Sequence, residues 1–555
     1  MGDINMEALF YDYNGAYDLS KMSFKAQVVN DKDEVFMQAE VPNITQKMSV
    51  SFSSDNLKMG DYYIQGILTD QQTGEIVSKK EWKLRKREKD YRPAVYLDEY
   101  NRLIKDGNPH FLMQMYNSSA YDDFVEDVIG TPIKTMSHYG FGWWLNGDKY
   151  TEMLKKMRNN GLQIRLTLLT FVYSNLSQKE ARELVTEQAD IRPLVESIIK
   201  KYKDDPVLQG YYLFDEANPI RYGEEIRWLN EICANADIDR PTVGVTDNMY
   251  RYGIFTKSVD IMGVDPYPIK GTGSDDIAQV GRYVRQIKED FPNRPVFVVL
   301  QGFHWKSNAA YIRPPSEEEL RNTMIQAICE GAQGLEWFSY REIKNDTEKP
   351  FSQWWREAIT LYKEAEMFSP IILSVEPAPH YEVKGGGDWL NITSRRHEGK
   401  SYIFTANNIK DYNSAILKVE GAKSVKELYS GQTYKVDDEG WFEVDFNPLG
   451  INVFEIEQDD YLSPEAELLS FGITGNKNSY IVYDNGDEIQ LNISNETTMV
   501  SYGAKISDKA KLFINGGESE LAGEISLDGI EEITVRVVSE DSRFYTERVY
   551  RINRL

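Results

Sequence analysis

"VLQGYYLFDEANP", residues 207–219, decides the reading of the fold. An apolar, aromatic run of strand character ends in two adjacent carboxylates, Asp215 and Glu216, and the chain then turns at Asn218-Pro219. A buried strand that delivers acids to its own C-terminal end is typical of α/β barrels, whose functional groups sit where the strands end.

Seven further runs share this design. With it they are "HFLMQMYNS", "PIKTMSHYG", "LQIRLTLLTFVYS", "LQGYYLFDE", "PTVGVTDN", "DIMGVDPYP", "PVFVVLQGFHW" and "GLEWFSYRE". Helical patterns separate them, among them "SEEELRNTMIQAICEGA", which opens with Ser316 and Glu319 in capping-box spacing. Eight βα units in this length predict a closed (β/α)8 barrel over residues 92–375. An open doubly wound sheet is disfavoured because no Gly-rich phosphate loop follows any strand.

On either side the periodicity changes from 3.6 to 2. Residues 1–91 alternate in short runs such as "MSFKAQVVN" and "DYYIQGILTD", the pattern of a β-sandwich. Pro370, Pro377 and Pro379 mark the end of the barrel. Residues 376–458 predict a second sandwich and residues 459–555 a third, each Ig-like in strand pattern. The fold class is therefore α/β plus all-β, with a TIM barrel flanked by one N-terminal and two C-terminal β-sandwich domains.

The chain has 555 residues, 41% hydrophobic and 27% charged, which is ordinary for a multidomain globular protein. Its formal charge of -25 opposes binding to nucleic acid or to an anionic membrane, and suits a neutral substrate. No run approaches the roughly 18 apolar residues that a membrane span requires. The start "MGDINMEALF" lacks a basic and then apolar leader. The short Met-Gly start looks like one added after removal of a signal peptide, so the expected location is secreted, periplasmic or cell-surface. Cys233 and Cys329 fall within helical patterns and predict unpaired, buried side chains.

The strand ends gather a distinctive set of residues. Strand 1 supplies Tyr116 and Asn117; strand 2, His138 with Trp143 and Trp144 beyond; strand 3, Tyr173. Strand 4 supplies Asp215, Glu216 and Asn218; strand 5, Asp247 and Asn248; strand 6, Asp265 and Tyr267. Strand 7 supplies Gln301, His304 and Trp305; strand 8, Ser339, Tyr340 and Arg341. Amides and carboxylates satisfy sugar hydroxyls, and aromatic rings stack on the C–H faces of sugars. Cleavage of a glycosidic bond needs a carboxylic acid for the leaving oxygen and commonly a second carboxylate. With five His and no His or Cys cluster, a metal site is not expected, and no G-x-S-x-G elbow is present. No cofactor is implied, and the expected partner is a carbohydrate substrate.

Barrel and sandwiches together resemble the clan A glycoside hydrolases, particularly those of β-galactosidase and β-glucuronidase type. "VYLDEYNRLIKDGNPHFLMQMY" is similar to the segment that leads into their first barrel strand. The resemblance spans residues 1 to about 457 in domain order and leaves the last domain unexplained. It implies that Glu216 is the general acid/base, although the motif here reads Asp-Glu with the proline delayed to Pro219. It also implies a nucleophilic Glu on strand 7, where this chain has Gln301. An amide cannot attack an anomeric carbon, which leaves an inactive site, another group in that role, or a Glu-to-Gln substitution that traps substrate.

Three carboxylates compete for the second role. Asp265 closes strand 6, and two strands of separation from Glu216 would suit an inverting pair about 6.5–9.5 Å apart. Asp247 on strand 5 is the next. Glu336 follows the start of strand 8 by only two residues, so it is expected deep in the barrel with Arg165 as a buried ion partner. A further possibility needs no second carboxylate: the Asp215-Glu216 pair is similar to that of the family 20 β-hexosaminidases, in which the substrate's 2-acetamido group is the nucleophile. The expected activity is thus hydrolysis of a neutral poly- or oligosaccharide. The alternatives are a glycan-binding protein on a degenerate barrel and substrate-assisted hydrolysis of 2-acetamido sugars.

Overall fold

The computed structural model describes residues 3–10, 17–88, 90–117, 123–138, 147–168, 191–249, 252–255, 258–270, 275–305, 313–458, 461–475, 478–484 and 489–555. The chain forms two compact units, residues 92–460 and residues 1–91 with 461–555.

The first unit contains the predicted barrel. Its strands are Leu112–Tyr116, Thr135–Ser137, Gln163–Thr167, Leu208–Asp215, Thr242–Thr246, Ile261–Val264, Val296–Gln301 and Gly334–Phe338. They close in chain order, and each is parallel to its neighbours. They are numbered 1 to 8 below. Three short strands, Val95–Leu97, Leu103–Lys105 and Asn108–Pro109, pair with one another ahead of strand 1. The capping box forms as the sequence predicts: Ser316 Oγ accepts from Glu319 N, and the Glu319 carboxylate accepts from Ser316 N.

Side chains of alternating size and polarity fill the barrel. Gly244 and Gly263 leave room for neighbouring rings: a Cβ at Gly263 would meet Phe297 at 2.4 Å and Val245 at 2.7 Å, and one at Gly244 would meet Phe214 at 2.2 Å. The guanidinium of Arg165, on strand 3, lies 5.0 Å from the Phe297 ring centre. Arg165 Nε donates to Gln209 Oε1 at 3.3 Å, and Gln209 Nε2 donates to Thr135 Oγ1 at 2.9 Å. Strands 2, 3 and 4 are thereby tied together by polar groups beneath the mouth.

Residues 376–458 form a sandwich of a three-stranded and a five-stranded antiparallel sheet, anchored to the barrel helix Glu317–Cys329. Asn322 Nδ2 donates to the carbonyls of Asn407 and Leu449, at 2.9 and 3.0 Å. Cys329 is free and buried, and its Sγ donates to the Phe404 carbonyl at 3.4 Å. Tyr402, Phe404 and Val453 of the sandwich belong to the same hydrophobic core as the barrel.

In the second unit, the sequence predicts the two ends of the chain as separate domains, and the structure joins them through a sheet. Strand Lys47–Ser53 pairs on one side with Asp3–Leu9 and on the other with Tyr480–Asp484. The resulting eight-stranded sheet is shared by two layers, one facing the strands of residues 22–86 and the other facing three strands of residues 468–526. Tyr480 and Val482 are buried in the core of the N-terminal layer. Pairing between such distant segments leaves no trace in local periodicity, which is why the sequence divides them. No helix among the described residues is long and apolar enough to cross a membrane.

Candidate active site

Four carboxylates stand at the ends of strands 4, 5 and 6. Strand 4 stays paired with strand 5 to its last residue, where Glu216 N–H donates to the Val245 carbonyl at 2.9 Å. Glu216 itself is left-handed, φ 47°, a conformation costly for a residue with a side chain and often found where function fixes the backbone. This turn leaves the Glu216 side chain exposed while Asp215 is half-buried. Asn218 Oδ1 then accepts from Arg221 N at 3.3 Å, so that Asn218 caps the helix Pro219–Ala236 ahead of its leading proline.

Asp265 is 4% exposed and stands near Asp215, Glu216 and Asp247 at the mouth. Burial, the charge of Asp215, the contact with Glu216 and the charge of Asp247 hold the Asp265 carboxyl well above the ordinary carboxylate range. Asp265 therefore favours its protonated form.

Asp215 is held from across the mouth, where Tyr116 Oη donates to its Oδ2 at 3.1 Å. Asp247 is exposed, and its carbonyl accepts from Tyr283 Oη at 3.1 Å. His138 is buried, and desolvation lowers its pKa to about 3, so the ring is neutral. Asn117 is buried beside it, with its N–H donating to the Ser137 carbonyl at 2.9 Å.

Aromatic rings occupy the facing arc, strands 6, 7, 8 and 1. Tyr267 lies 4.9 Å from Phe303, 6.2 Å from Phe338 and 6.4 Å from Trp305, ring centre to ring centre. Tyr116 meets Phe338 at 5.4 Å. Trp305 is the outermost ring, 40% exposed. Behind it His304 Nδ1 lies 2.7 Å from Asp346 Oδ2, and Asp346 Oδ1 accepts the N–H groups of Glu348 and Lys349.

Two sequence-predicted binding residues are placed elsewhere. Gln301 is 2% exposed, and its amide is bonded to backbone: Oε1 accepts from Ile269 N at 3.0 Å, and Nε2 donates to Ile269 O at 2.7 Å. Tyr340 begins the helix Tyr340–Lys344 and packs against Phe124, Phe351 and Trp355. Its hydroxyl donates to Asp127 Oδ2 at 2.6 Å, in the outer layer of helices. Strand 8 ends at Phe338, not at the polar residues after it, so the ring at the mouth is Phe338. Phe303, Phe338 and Asp346 are the site residues that sequence reasoning missed. The inward parity of Glu336 and Phe338 on strand 8 was the available signal for one of them. Trp143, Trp144 and Tyr173 lie outside the described residues.

The mouth is thus divided, with acids on one arc and apolar ring faces on the other. That suits a ligand with hydroxyls along one edge and C–H groups along the other.

No protein-family model matches the chain, and no curated protein matches it. Its structure is similar to that of a glycoside hydrolase family 5 protein from Bacteroides vulgatus ATCC 8482, with a TM-score of 0.50 and 11% identity over 66% of this chain and 94% of that one. An α-amylase from Geobacillus thermoleovorans matches at a TM-score of 0.42 and 11% identity, over 63% of this chain and 98% of that one. The β-glucuronidase of Ruminococcus gnavus matches at 0.33 and 11% identity, over 57% of each chain. At 11% identity the likeness to the family 5 protein is one of fold.

Proposed function

We propose that the chain is a glycoside hydrolase acting on a neutral poly- or oligosaccharide, with Glu216 as general acid/base and Asp265 as the proton-holding carboxyl beneath it. The observation that carries this reading is the gathering of Asp215, Glu216, Asp247 and the buried Asp265 at the ends of strands 4, 5 and 6, at the C-terminal mouth of the barrel. Neighbouring carboxyls, one of them buried, cannot all ionise cheaply, so Asp265 is the member that favours its protonated form. Glu216 is the exposed member and meets the glycosidic oxygen. As the C–O bond breaks, the proton of the pair passes to the leaving oxygen. A water molecule attacks the anomeric carbon from the opposite face and gives its proton to Asp247, the exposed carboxylate of strand 5. One water is consumed, and the configuration inverts. Gln301 has no covalent part in this scheme. The solved structure of similar fold is named as a glycoside hydrolase, which supports the class of reaction.

The test is reducing-end release from a panel of neutral polysaccharides by wild type, E216Q, D265N and D247N, with the first-formed anomer read by NMR. E216Q is expected to lose about 10³-fold in turnover while staying folded, within the usual worth of a general acid. Undiminished hydrolysis by folded E216Q would sink the reading.

Gln301 favours a second reading, a glycan-binding protein without turnover, because strand 7 offers no carboxylate. Binding without product on prolonged incubation would establish it. The Tyr116–Asp215 bond favours a third, in which Asp215 orients a substrate's 2-acetamido group. That reading requires turnover of 2-acetamido sugars to fail in D215A and to survive in D247N.

A further inference from the structure

Gln301 occupies the last position of strand 7, where the resemblance implies a nucleophile, yet its amide is fully engaged with main chain. Besides the two bonds to Ile269, Nε2 donates to the Phe303 carbonyl at 3.3 Å. The reason lies in strand 6. Its ladder with strand 7 ends at the pair Val264 and Val298. Pro266 and Pro268 follow, and neither has an N–H to carry the ladder on. At Ile269 the Gln301 side chain takes over as a two-point substitute for a neighbouring strand. The segment between these fixed points, Asp265 to Pro268, carries both the buried carboxyl of the pair and the ring of Tyr267.

We propose that Gln301 is a positioning residue: its carboxamide clamps the strand 6 loop at Ile269 and so holds Asp265 in its buried place among the carboxylates of the mouth, and the position requires an amide. An ionised carboxylate there would keep one oxygen on the Ile269 N–H but turn the other, without a proton, toward the carbonyls of Ile269 and Phe303. A protonated carboxyl, having one donor and one acceptor, could still serve. The amide is therefore a working part of this barrel, and putting a glutamate in its place does not restore a nucleophile. The inference rests on the hydrolase reading only where it makes Asp265 a partner of the acid. The clamp itself is tested in the protein without substrate.

The experiment follows the protonated carboxyl stretch of Asp265 by infrared titration, assigned by its disappearance in D265N. The groups facing Asp265 are Asp215 and Glu216 of strand 4, Asp247 of strand 5 and Tyr283 of the helix Gln279–Asp290. All are retained in the variants used. In Q301M, of similar volume and without hydrogen bonds, the titration midpoint of Asp265 is expected to fall by at least one pH unit as the loop loosens and water reaches the carboxyl. An unchanged midpoint in folded Q301M overturns the proposal. If Q301M does not fold, Q301E carries the test. It is expected to match wild type at pH 4.5, where the introduced carboxyl is protonated, and to lose both melting temperature and the elevated Asp265 midpoint as the pH rises toward 8. A wild-type profile for Q301E across that range overturns the proposal. So does a covalent glycosyl adduct on the introduced carboxyl, detected by mass spectrometry.

Discussion

Arg165 Nη1 lies 4.0 Å from Glu336 Oε2, with both side chains fully buried beneath the four carboxylates of the mouth. Burial raises the Glu336 pKa to about 7, against the opposing pull of Arg165 and Ser137 and with some help from Asp215. Such a pair is costly to break but adds little net stability. Its effect is on how stability depends on pH.

For Glu336 the folded pKa lies above the ordinary value, so its stabilising effect is complete below about pH 4.5 and is lost as the pH rises through 7. The difference of roughly 2.5 pH units corresponds to about 3 kcal/mol. His138 runs the other way. Its folded pKa of about 3 lies below the ordinary 6.5, so its effect is complete above 6.5 and is lost as the pH falls toward 3. Between pH 4.5 and 6.5 the two nearly cancel. Measured by denaturant unfolding, followed through the buried Trp337 and Trp354 of the barrel, stability relative to wild type should rise with pH in E336Q and fall with pH in H138Q over this range, each by about 3 kcal/mol. Parallel curves for the three proteins would contradict the assignment.

Y116F removes only the hydroxyl that donates to Asp215. A hydrogen bond to a charged group contributes about 1.5–3 kcal/mol, so kcat/KM on the preferred glycan should fall by roughly 10- to 100-fold with the melting temperature nearly unchanged. Equal activity in Y116F would show that Asp215 needs no orientation.

Trp305, on the rim, offers a stacking face away from the carboxylates. W305A should weaken oligosaccharide binding by about 1 kcal/mol, roughly fivefold, and leave kcat close to wild type. Calorimetric titration of an oligosaccharide into E216Q and into the E216Q/W305A double variant separates binding from turnover. A loss of kcat with no change in affinity would remove Trp305 from the binding surface.

G263A places a methyl group where the Phe297 ring and Val245 already stand, at 2.4 and 2.7 Å. Overpacking of a closed core costs about 1–3 kcal/mol. A thermal melt should show the barrel transition lowered by several degrees, since a large domain shifts about 2–4 °C per kcal/mol. Relief by F297L in the same background is the accompanying check.

Much of this was legible in the sequence because it is written locally. Each barrel strand is a short apolar run ending in polar residues, and its position along the run tells how deep a side chain lies. That is how Glu336 and Arg165 could be paired before any coordinates, and how Asp215, Glu216 and Asp265 could be placed at the mouth. What failed depends on geometry between distant residues. Gln301 looks like a group facing substrate until the path of Ile269, 32 positions earlier, is known. Tyr340 looks like a strand end because strand 8 passes into a helix without a polar break. The left-handed turn at Glu216 is another feature that periodicity does not report.

Tyr480 Oη donates to the carbonyl of Glu40, 440 positions earlier in the chain. On the ribosome, at about 5–20 residues per second, the strand Lys47–Ser53 must wait roughly 20 to 90 s for its neighbour to be made. Throughout that interval the entire barrel unit is synthesised while an unpaired strand edge stays open, and such edges recruit foreign strands. Loss of the strand Tyr480–Asp484 would thus leave Lys47–Ser53, more than 400 positions earlier, with an open edge.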